Sequence, residues 1–477
     1  MRAAPGTDDV CTMDSIFKED TICAIATPVG EGGIGIVKIS GPWASPLARL
    51  LFRPSRSVDS FESHRLYYGW IADPRTGETV DEVLLSYMAA PRTYTREDVV
   101  EINCHGGYAA IARILELALS SGARLAEPGE FTRRAFLNGR IDLSQAEAVA
   151  EIIHSRSLQG ILHANRHLRG EFRERVQAWR ETLLCLQSRT EAHIDFAEDV
   201  DDEPAGTTPD AENLLEEVIL AVAAAIEGYR SGRALHEGLA IALAGKPNVG
   251  KSSLLNALIG KDRAIVTPFP GTTRDVIEDS FILEGVEVRL LDTAGIRREP
   301  DEIESYGIER TIRTVGEADA VLWLIDGSRP LDEEDGEVFR SIGGTRRLIL
   351  LNKNDLPPEV SPEDVEERFG AERPAIRLSA LDPRDVARLK VLLAETFLRQ
   401  PIETGRSAIV PNLRQKDCLE RAMESLERAR DHFSTGGFGE LASIELAAAR
   451  RQLEAILGWD GDDELLDRIF SRFCVGK

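Results

Sequence analysis

The run Leu239 to Ser253, LAIALAGKPNVGKSS, constrains this chain more than any other stretch. A β-prone apolar segment leads into a Gly-x-x-x-x-Gly-Lys-Ser loop, Gly245 to Ser252, and SLLNALIG continues with a helical pattern. Glycines let the backbone turn sharply, so that successive N–H groups converge on phosphate oxygens, and the helix that follows presents its N-terminus to the anion. Lys251 then reaches the β- and γ-phosphates, and Ser252 offers a hydroxyl to Mg²⁺. Strand, loop and helix in that order, followed by further alternation to about Leu398, imply a doubly wound parallel α/β sheet. Its nucleotide lies at the C-terminal ends of the strands.

Three later segments say which nucleotide. PGTTRD offers Thr273 as a second Mg²⁺ ligand. VEVRLLDTAG ends a strand with Asp292, suited to hold Mg²⁺ through water, and with Gly295, whose N–H can meet a γ-phosphate. RLILLNKND ends another strand with Asn352, Lys353 and Asp355. The Asp355 carboxylate can accept from both N1–H and N2–H₂ of guanine, a pair that adenine does not present. RLSA places Ser379 and Ala380 where a backbone N–H meets guanine O6. Their order along the chain points to GTP rather than ATP. One position departs from the Ras-like pattern: Ile296 follows Gly295 where a glutamine would orient the attacking water. The acidic run REPDEIESYGIER supplies Glu302 and Glu304 as water-positioning candidates, with a solvated charged face as the alternative. A monovalent cation can stand in for an arginine finger, and Asn248 offers it an oxygen.

The length, 477 residues, suggests about three domains. A net charge of -24 disfavours a general nucleic-acid coat but leaves room for a local basic site. The six cysteines are scattered without a C-x-x-C pair, which fits a reducing compartment and neither a disulfide framework nor a zinc knuckle. Glu216, Glu217 and Glu227 interrupt the apolar stretch Leu214 to Tyr229, so no membrane span is expected. The N-terminal residues lack the apolar core of a secretory signal, and the expected location is cytoplasmic. Short strand-like runs bounded by Gly and Pro fill 21–130 and read as α+β. Helical patterns occupy 131–237, including one long helix from Leu158 to Arg189, and return after 400. The expected domains are therefore 1–130, 131–237, 238–399 and 400–477, with the α/β unit inserted into a split helical domain. Leu466, Ile469, Phe470 and Phe473 share a helical face near the end, where Gly476 is expected to stop the helix and swing Lys477 outward. The terminal CVGK is a poor prenylation box, since Gly476 is not aliphatic. Cys104 has no evident triad partner and reads as an inert thiol; His105 reads as a turn or packing residue.

GKPNVGKSS, PGTTRD, LDTAG, NKND and the terminal FCVGK, together with GGIGIVKISGP, EDVVEINCHGG and PGEFTRRAFLNGRIDLSQAEA, resemble the MnmE (TrmE) family of tRNA modification GTPases. The resemblance spans Thr21 to Lys477. It implies an N-terminal folate-binding-like α+β domain that forms a homodimer, a split all-α domain and an inserted P-loop GTPase domain. It further implies work with an MnmG-type FAD protein on C5 of the tRNA wobble uridine, adding aminomethyl or carboxymethylaminomethyl groups. The one-carbon donor would be 5-formyltetrahydrofolate or a related tetrahydrofolate, and the G domains would pair when K⁺ and GTP are bound.

Carried over by motif, the GTP site comprises Asn248, Val249, Gly250, Lys251, Ser252 and Ser253, then Thr267, Pro268, Phe269, Pro270, Gly271, Thr272 and Thr273. Asp292, Thr293, Ala294, Gly295, Asn352, Lys353, Asp355, Ser379 and Ala380 complete it. The resemblance assigns Mg²⁺ to Ser252 and Thr273, and K⁺ to Asn248, Thr267, Phe269 (through its backbone) and Thr272. Glu304 would orient the hydrolytic water, with Lys251 and Thr273 as the other catalytic groups. Lys38, Glu101, Arg140 and Lys477 would line the folate site; Lys38 stands where arginine is familiar in the family, and Arg140 where lysine is. Read from the residues alone, Lys38 and Arg140 suit either an anionic folate tail or surface ion pairs. The arginine-rich stretch Arg156 to Arg180 reads as a tRNA contact or as a solvated face. Two rival functions are a ribosome-assembly GTPase switch and a stand-alone folate-dependent transferase. The first usually carries a basic RNA-binding appendage or a second G domain, and neither is seen in this sequence.

Overall fold

Two sheets organise the computed structural model, one in each of two packing units, Met1–Ala150 with Glu454–Lys477, and Glu151–Leu453. The structure describes residues 20–28, 30, 32–155, 158–195, 209–260, 279–292, 315–316, 318–370, 375–398, 410–434, 439–461 and 463–477.

In the first unit, strands β1 (Ile22–Ile25), β2 (Gly32–Ser40), β3 (Phe52–Pro54), β4 (Arg65–Ala72), β5 (Thr79–Met88), β6 (Val99–Gly106) and β7 (Arg124–Leu125) form one sheet in the order β3-β4-β5-β6-β2-β1-β7. Neighbours are antiparallel except β1 and β7. Alternation sorts the side chains to two faces. Val37, Ile39, Val100, Ile102 and Cys104 point inward, where helices α1 (Ala44–Leu51) and α2 (Tyr108–Ser120) cover them with Leu47, Leu51, Ile111 and Ile114. Lys38, Glu101, Asn103 and His105 therefore share the outer face.

Helices α3 (Glu130–Leu137) and α4 (Leu143–His154) follow. Ala135, Leu143 and Ala146 pack with Leu466 and Phe470 of the last helix, Asp463–Phe470, and with Phe473 beyond it. This small core lies within the first unit, which runs to Ala150 and resumes at Glu454. The last helix ends at Phe470, so Gly476 lies in a following turn and is not the helix stop.

The second unit opens with α5 (Leu158–Leu168), α6 (Glu171–Asp195) and α7 (Pro209–Glu237). The expected single helix from Leu158 to Arg189 is two, because Gly170 takes a left-handed φ of +91° and breaks the run. Then come β8 (Leu239–Ala244), α8 (Lys251–Ile259), β9 (Asp279–Leu283), β10 (Val286–Asp292), β11 (Ala320–Asp326), α9 (Glu333–Ile342), β12 (Arg347–Asn352), α10 (Pro362–Phe369), β13 (Ile376–Arg377) and α11 (Pro383–Leu393). Helices α12 (Leu413–Ser434) and α13 (Gly439–Leu457) complete the unit.

The second sheet runs β13-β12-β11-β8-β10-β9 and is parallel except for the β9–β10 hairpin. Its central strands β8 and β11 are buried along their whole length, as strands covered on both faces must be. α8 and α11 cover one face with Leu254, Leu258, Val386 and Leu389. α9 and α10 cover the other with Ile342, Phe339, Val365 and Phe369. This is the doubly wound arrangement that the P-loop requires. Among the described residues, no helix is long and apolar enough to cross a membrane.

Candidate functional site

Strands β10, β8, β11 and β12 run parallel, so their C-terminal ends lie along one edge of the sheet. The phosphate loop leaves β8 at that edge through three residues of positive φ: Gly245 at +151°, Asn248 at +63° and Gly250 at +100°. A Cβ on Gly245 would sit 2.5 Å from the Leu324 carbonyl oxygen, so the loop needs glycine to cross β11 this closely. Val249 is buried beneath the loop. Lys251 opens α8 with its ammonium inside the loop, donating to the carbonyls of Gly245 at 2.6 Å and Lys246 at 2.8 Å. Ser252 and Ser253 are exposed in the same first turn.

At the end of β12, the Asn352 amide donates to Val249 O at 2.8 Å, and its Oδ1 accepts from Ala380 N at 2.9 Å. Asp355 is exposed, and its Oδ1 accepts from Ser379 Oγ at 2.6 Å. The Ser379 N–H donates to Asp385 Oδ2 at 2.7 Å. The backbone N–H groups of Ser379 and Ala380, one of which is expected to meet guanine O6, are thus both engaged, and a base contact there must share or replace one of these bonds. Lys353 adopts a φ of +65° and pairs with Asp326, at the end of β11, at 2.6 Å. Burial pushes the Asp326 carboxyl up, but hydrogen bonds from Lys353 and Ser328 prevail and hold it below the usual range. Asp326 was not singled out by the sequence, although an Asp closing an apolar strand repeats the pattern of Asp292.

Asp292 is the last residue of β10. Thr267, Pro268, Phe269, Pro270, Gly271, Thr272, Thr273, Thr293, Ala294, Gly295, Ile296, Glu302 and Glu304 lie outside the described residues.

In the first unit, the outer sheet face brings a second group together. Lys38 and Glu101 are cross-strand partners on β2 and β6, with Nζ 3.6 Å from Oε1. The Lys38 ammonium also lies 5.5 Å from the Tyr94 ring centre and 5.4 Å from that of Phe131. Arg140 stacks its guanidinium 4.6 Å from the same Tyr94 ring and donates to the Tyr94 carbonyl at 3.4 Å. The Tyr94 hydroxyl is fixed by Thr132 at 2.9 Å. Burial pushes the Lys38 ammonium below its usual pKa, Glu101 opposes this, and the charge of Lys477 adds to the lowering. The C-terminus is thus close enough to act on Lys38. Gly476 lets the chain pass close to β1 there: its φ is +93°, and a Cβ on it would lie 2.6 Å from Ile25 O. The Gly129 N–H donates to Cys474 O at 3.4 Å. Tyr94 escaped the sequence reading because nothing in PRTYTREDVV marks it as a platform for two cations that lie 56 and 46 residues away.

Cys104 is buried, donates its thiol to Gly35 O at 3.3 Å, and is pushed up to about 11 by burial and by Asp81. A thiol so protonated is no nucleophile at neutral pH. His105 is not a packing residue. It is exposed, with its Nδ1 at 2.7 Å from Asp81 Oδ1 and its backbone N–H donating to Asp81 Oδ2 at 2.8 Å.

Residues 143–474 match the family model described as the MnmE helical domain, and residues 21–140 that of the GTP-binding protein TrmE N-terminus. The tRNA modification GTPase MnmE of Syntrophobacter fumaroxidans is 62% identical over 462 residues, covering 96% of this chain and 98% of the relative. The proteins of the same description from Carboxydothermus hydrogenoformans and Geobacter sulfurreducens are 46% and 44% identical. Those matches cover 96% and 97% of this chain, respectively, and 100% of each relative.

Proposed function

The chain belongs to the MnmE family, and from that footing we propose that it hydrolyses GTP in the service of tRNA modification. The observation that carries the GTP reading is the Asn352 side chain. It joins the phosphate loop at Val249 to the base-side loop at Ala380 and leaves Asp355 exposed beside Ser379. In this reading the guanine base sits on Asp355 and the phosphates on Lys251.

The residues present fit the cofactors. Ser252, exposed beside Lys251 in the first turn of α8, has the hydroxyl that a Mg²⁺ ligand needs, with Thr273 as the second. Asn248, held left-handed in the loop, offers an amide oxygen to K⁺, with Thr267, Phe269 and Thr272 as the partners the family assigns. The bound cations neutralise charge on the transferred phosphoryl group. Lys251 exchanges its two loop carbonyls for phosphate oxygens, so its ammonium is already in place when the nucleotide arrives. Glu304 takes the water-positioning role that Ile296 cannot fill.

The first unit reads as the folate-binding and homodimerising domain. Lys38, Arg140 and Lys477 present cations to the anionic groups of 5-formyltetrahydrofolate or a related tetrahydrofolate, Glu101 accepts from its N–H groups, and Tyr94 gives a flat aromatic wall. The lowered pKa of Lys38 supports this reading, since a buried ammonium with Lys477 nearby is left short of negative charge. The split helical domain and the inserted G domain then couple hydrolysis to modification at C5 of the wobble uridine, with an MnmG-type FAD protein as partner in the cytoplasm. Mass spectrometry of tRNA wobble nucleosides from cells lacking the gene tests the assignment. Loss of aminomethyl-type uridines, restored by the intact gene, is expected; an unchanged nucleoside profile would return the chain to the ribosome-assembly class.

A further inference from the structure

The segment from Asp326 to Asp335, DGSRPLDEED, joins β11 to α9 and contains none of the nucleotide motifs. It nevertheless touches a lysine on each side of the nucleotide edge. At its end, Asp332 and Asp335 receive the Lys246 ammonium at 2.6 and 2.9 Å. These two aspartates also form the capping box of α9, each accepting the other's backbone N–H, so their carboxylates are fixed before the lysine arrives. Asp335 is 2% exposed and Lys246 16%, so the Lys246–Asp335 pair is shielded from solvent, whereas Asp332 is 55% exposed. At its start, Asp326 holds Lys353 of the base motif at 2.6 Å and is itself braced by Ser328 Oγ at 2.6 Å. From behind, the Arg368 guanidinium donates to the carbonyls of Leu331 and Asp332 at 2.8 and 3.1 Å.

Lys246 matters to the phosphates through its backbone. Its carbonyl is one of the two that hold the Lys251 ammonium, and the other belongs to Gly245 next to it. Pulling the Lys246 side chain towards Asp332 and Asp335 therefore sets where those carbonyls, and so Lys251, can stand.

We propose that Asp326–Asp335 is a brace that positions the phosphate and base loops against each other, with Lys246, Asp332 and Asp326 as positioning residues that never touch the nucleotide. This rests on the reading of the second unit as a guanine-nucleotide site.

The test uses the full chain and a fluorescent GDP analogue at equilibrium, with thermal unfolding of the nucleotide-free protein run in parallel. Lys246→Met is expected to weaken GDP binding about 10- to 100-fold, the range of a lost hydrogen bond to a charged group. Lys246→Arg restores most of it. Asp332→Asn shows part of the same loss, and combining it with Lys246→Met adds little, because the two variants break one contact. Asp326→Asn weakens GDP independently of Lys246→Met, so those two losses multiply. If Lys246→Met does not fold, Asp332→Asn and Asp326→Asn carry the test, since Asp332 is half exposed and neither change removes side-chain volume. Unchanged GDP affinity in folded variants overturns the brace. So does a loss matched by an equal fall in nucleotide-free stability that arginine does not rescue. Failure of the unaltered chain to bind GDP overturns the nucleotide reading itself.

Discussion

Asn352 and Val249, 103 residues apart, are joined by a buried hydrogen bond of 2.8 Å from the Asn352 amide to the Val249 carbonyl. The bond fixes the height of the phosphate loop above β12, and Gly250 is the residue that makes room for it. A Cβ on Gly250 would collide with the Asn352 amide nitrogen, and its φ of +100° disfavours any side chain. Gly250→Ala is therefore expected to abolish measurable guanine-nucleotide binding. Asn352→Ala leaves two buried partners unpaired, at about 1–3 kcal/mol each, and should weaken GDP by more than tenfold. Nucleotide titration of both variants checks this; near-normal affinity for either would detach the bridge from binding.

Asp355→Asn should move base preference from guanine towards xanthine, because an amide donates where the carboxylate only accepts. The Ser379 hydroxyl, now donating to Asp355 at 2.6 Å, can turn and remain paired with the amide. The variant should therefore keep its fold and change only its choice of base. Competition between GTP and XTP in a binding assay reads the outcome, and an unaltered ratio would unseat Asp355 as the base reader.

What the sequence made legible is chemistry carried by neighbours in the chain. The P-loop, the strand before it and the helix after it lie within a single run, and so does the NKND tetrad at the end of β12. The doubly wound sheet follows from their alternation with apolar strands. What stayed hidden is chemistry between distant segments. Lys246 meets Asp332 across 86 residues, and Tyr94 gathers Lys38 and Arg140 from a strand and a post-helix turn. Charge type alone gives no register for such pairs. The helix break at Gly170 was missed for a different reason: a single glycine inside a helical pattern is usually tolerated at a cost of about 1 kcal/mol, and only the left-handed φ shows that this one ends a helix.

On the proposed role of Asn248 as a K⁺ ligand, and with isoleucine at 296 where a glutamine would orient water, GTP hydrolysis should be slow in Na⁺ and faster in K⁺ at equal ionic strength. Glu304→Ala should cut kcat by roughly 100-fold or more, within the range of a positioned acid–base group, with GTP affinity nearly unchanged. Single-turnover kinetics beside nucleotide titration separates the two effects. Equal rates in the two salts remove the cation from the mechanism, and normal turnover in the variant passes the water to Glu302.

His105 provides a pH prediction. The hydrogen bond that His105 donates to Asp81, and then the Asp81 charge, raise the imidazole pKa above the ordinary 6.5. A raised value means that the protonated pair contributes fully at pH below 6.5 and that the contribution is lost as pH rises through the raised value. Asp81→Asn should lower the His105 titration midpoint, seen by NMR. The stability gap between the two proteins should narrow from acidic to alkaline pH, since the amide oxygen left by the substitution can still accept the His105 backbone N–H that Asp81 accepts at 2.8 Å. A midpoint unmoved by the substitution would break the link.

The C-terminus offers the sharpest test of the proposed folate site. Phe470 and Phe473 are buried in the core shared with Ala135 and Leu143, so the chain is anchored ahead of its last residues. Beyond that anchor, Gly476 passes within contact of Ile25 O with a φ of +93°, and Lys477 then acts on the buried Lys38 ammonium. Removing Gly476 and Lys477 leaves Phe473 in place and keeps the Cys474 carbonyl that accepts from Gly129. The unit should therefore stay folded while losing one cation. Affinity for 5-formyltetrahydrofolate should fall by about 1–3 kcal/mol, the scale of a charge-assisted hydrogen bond, and GTP hydrolysis should be untouched. Lys477→Ala should give most of the same loss, which separates the charge from the turn, whereas Gly476→Ala should act only by displacing the tail. Both Lys477 changes also relieve repulsion on Lys38, so its ammonium should titrate at higher pH than in the intact chain. Calorimetry on the truncated protein decides the matter: folate affinity equal to that of the full chain would leave the tail a structural strap and nothing more.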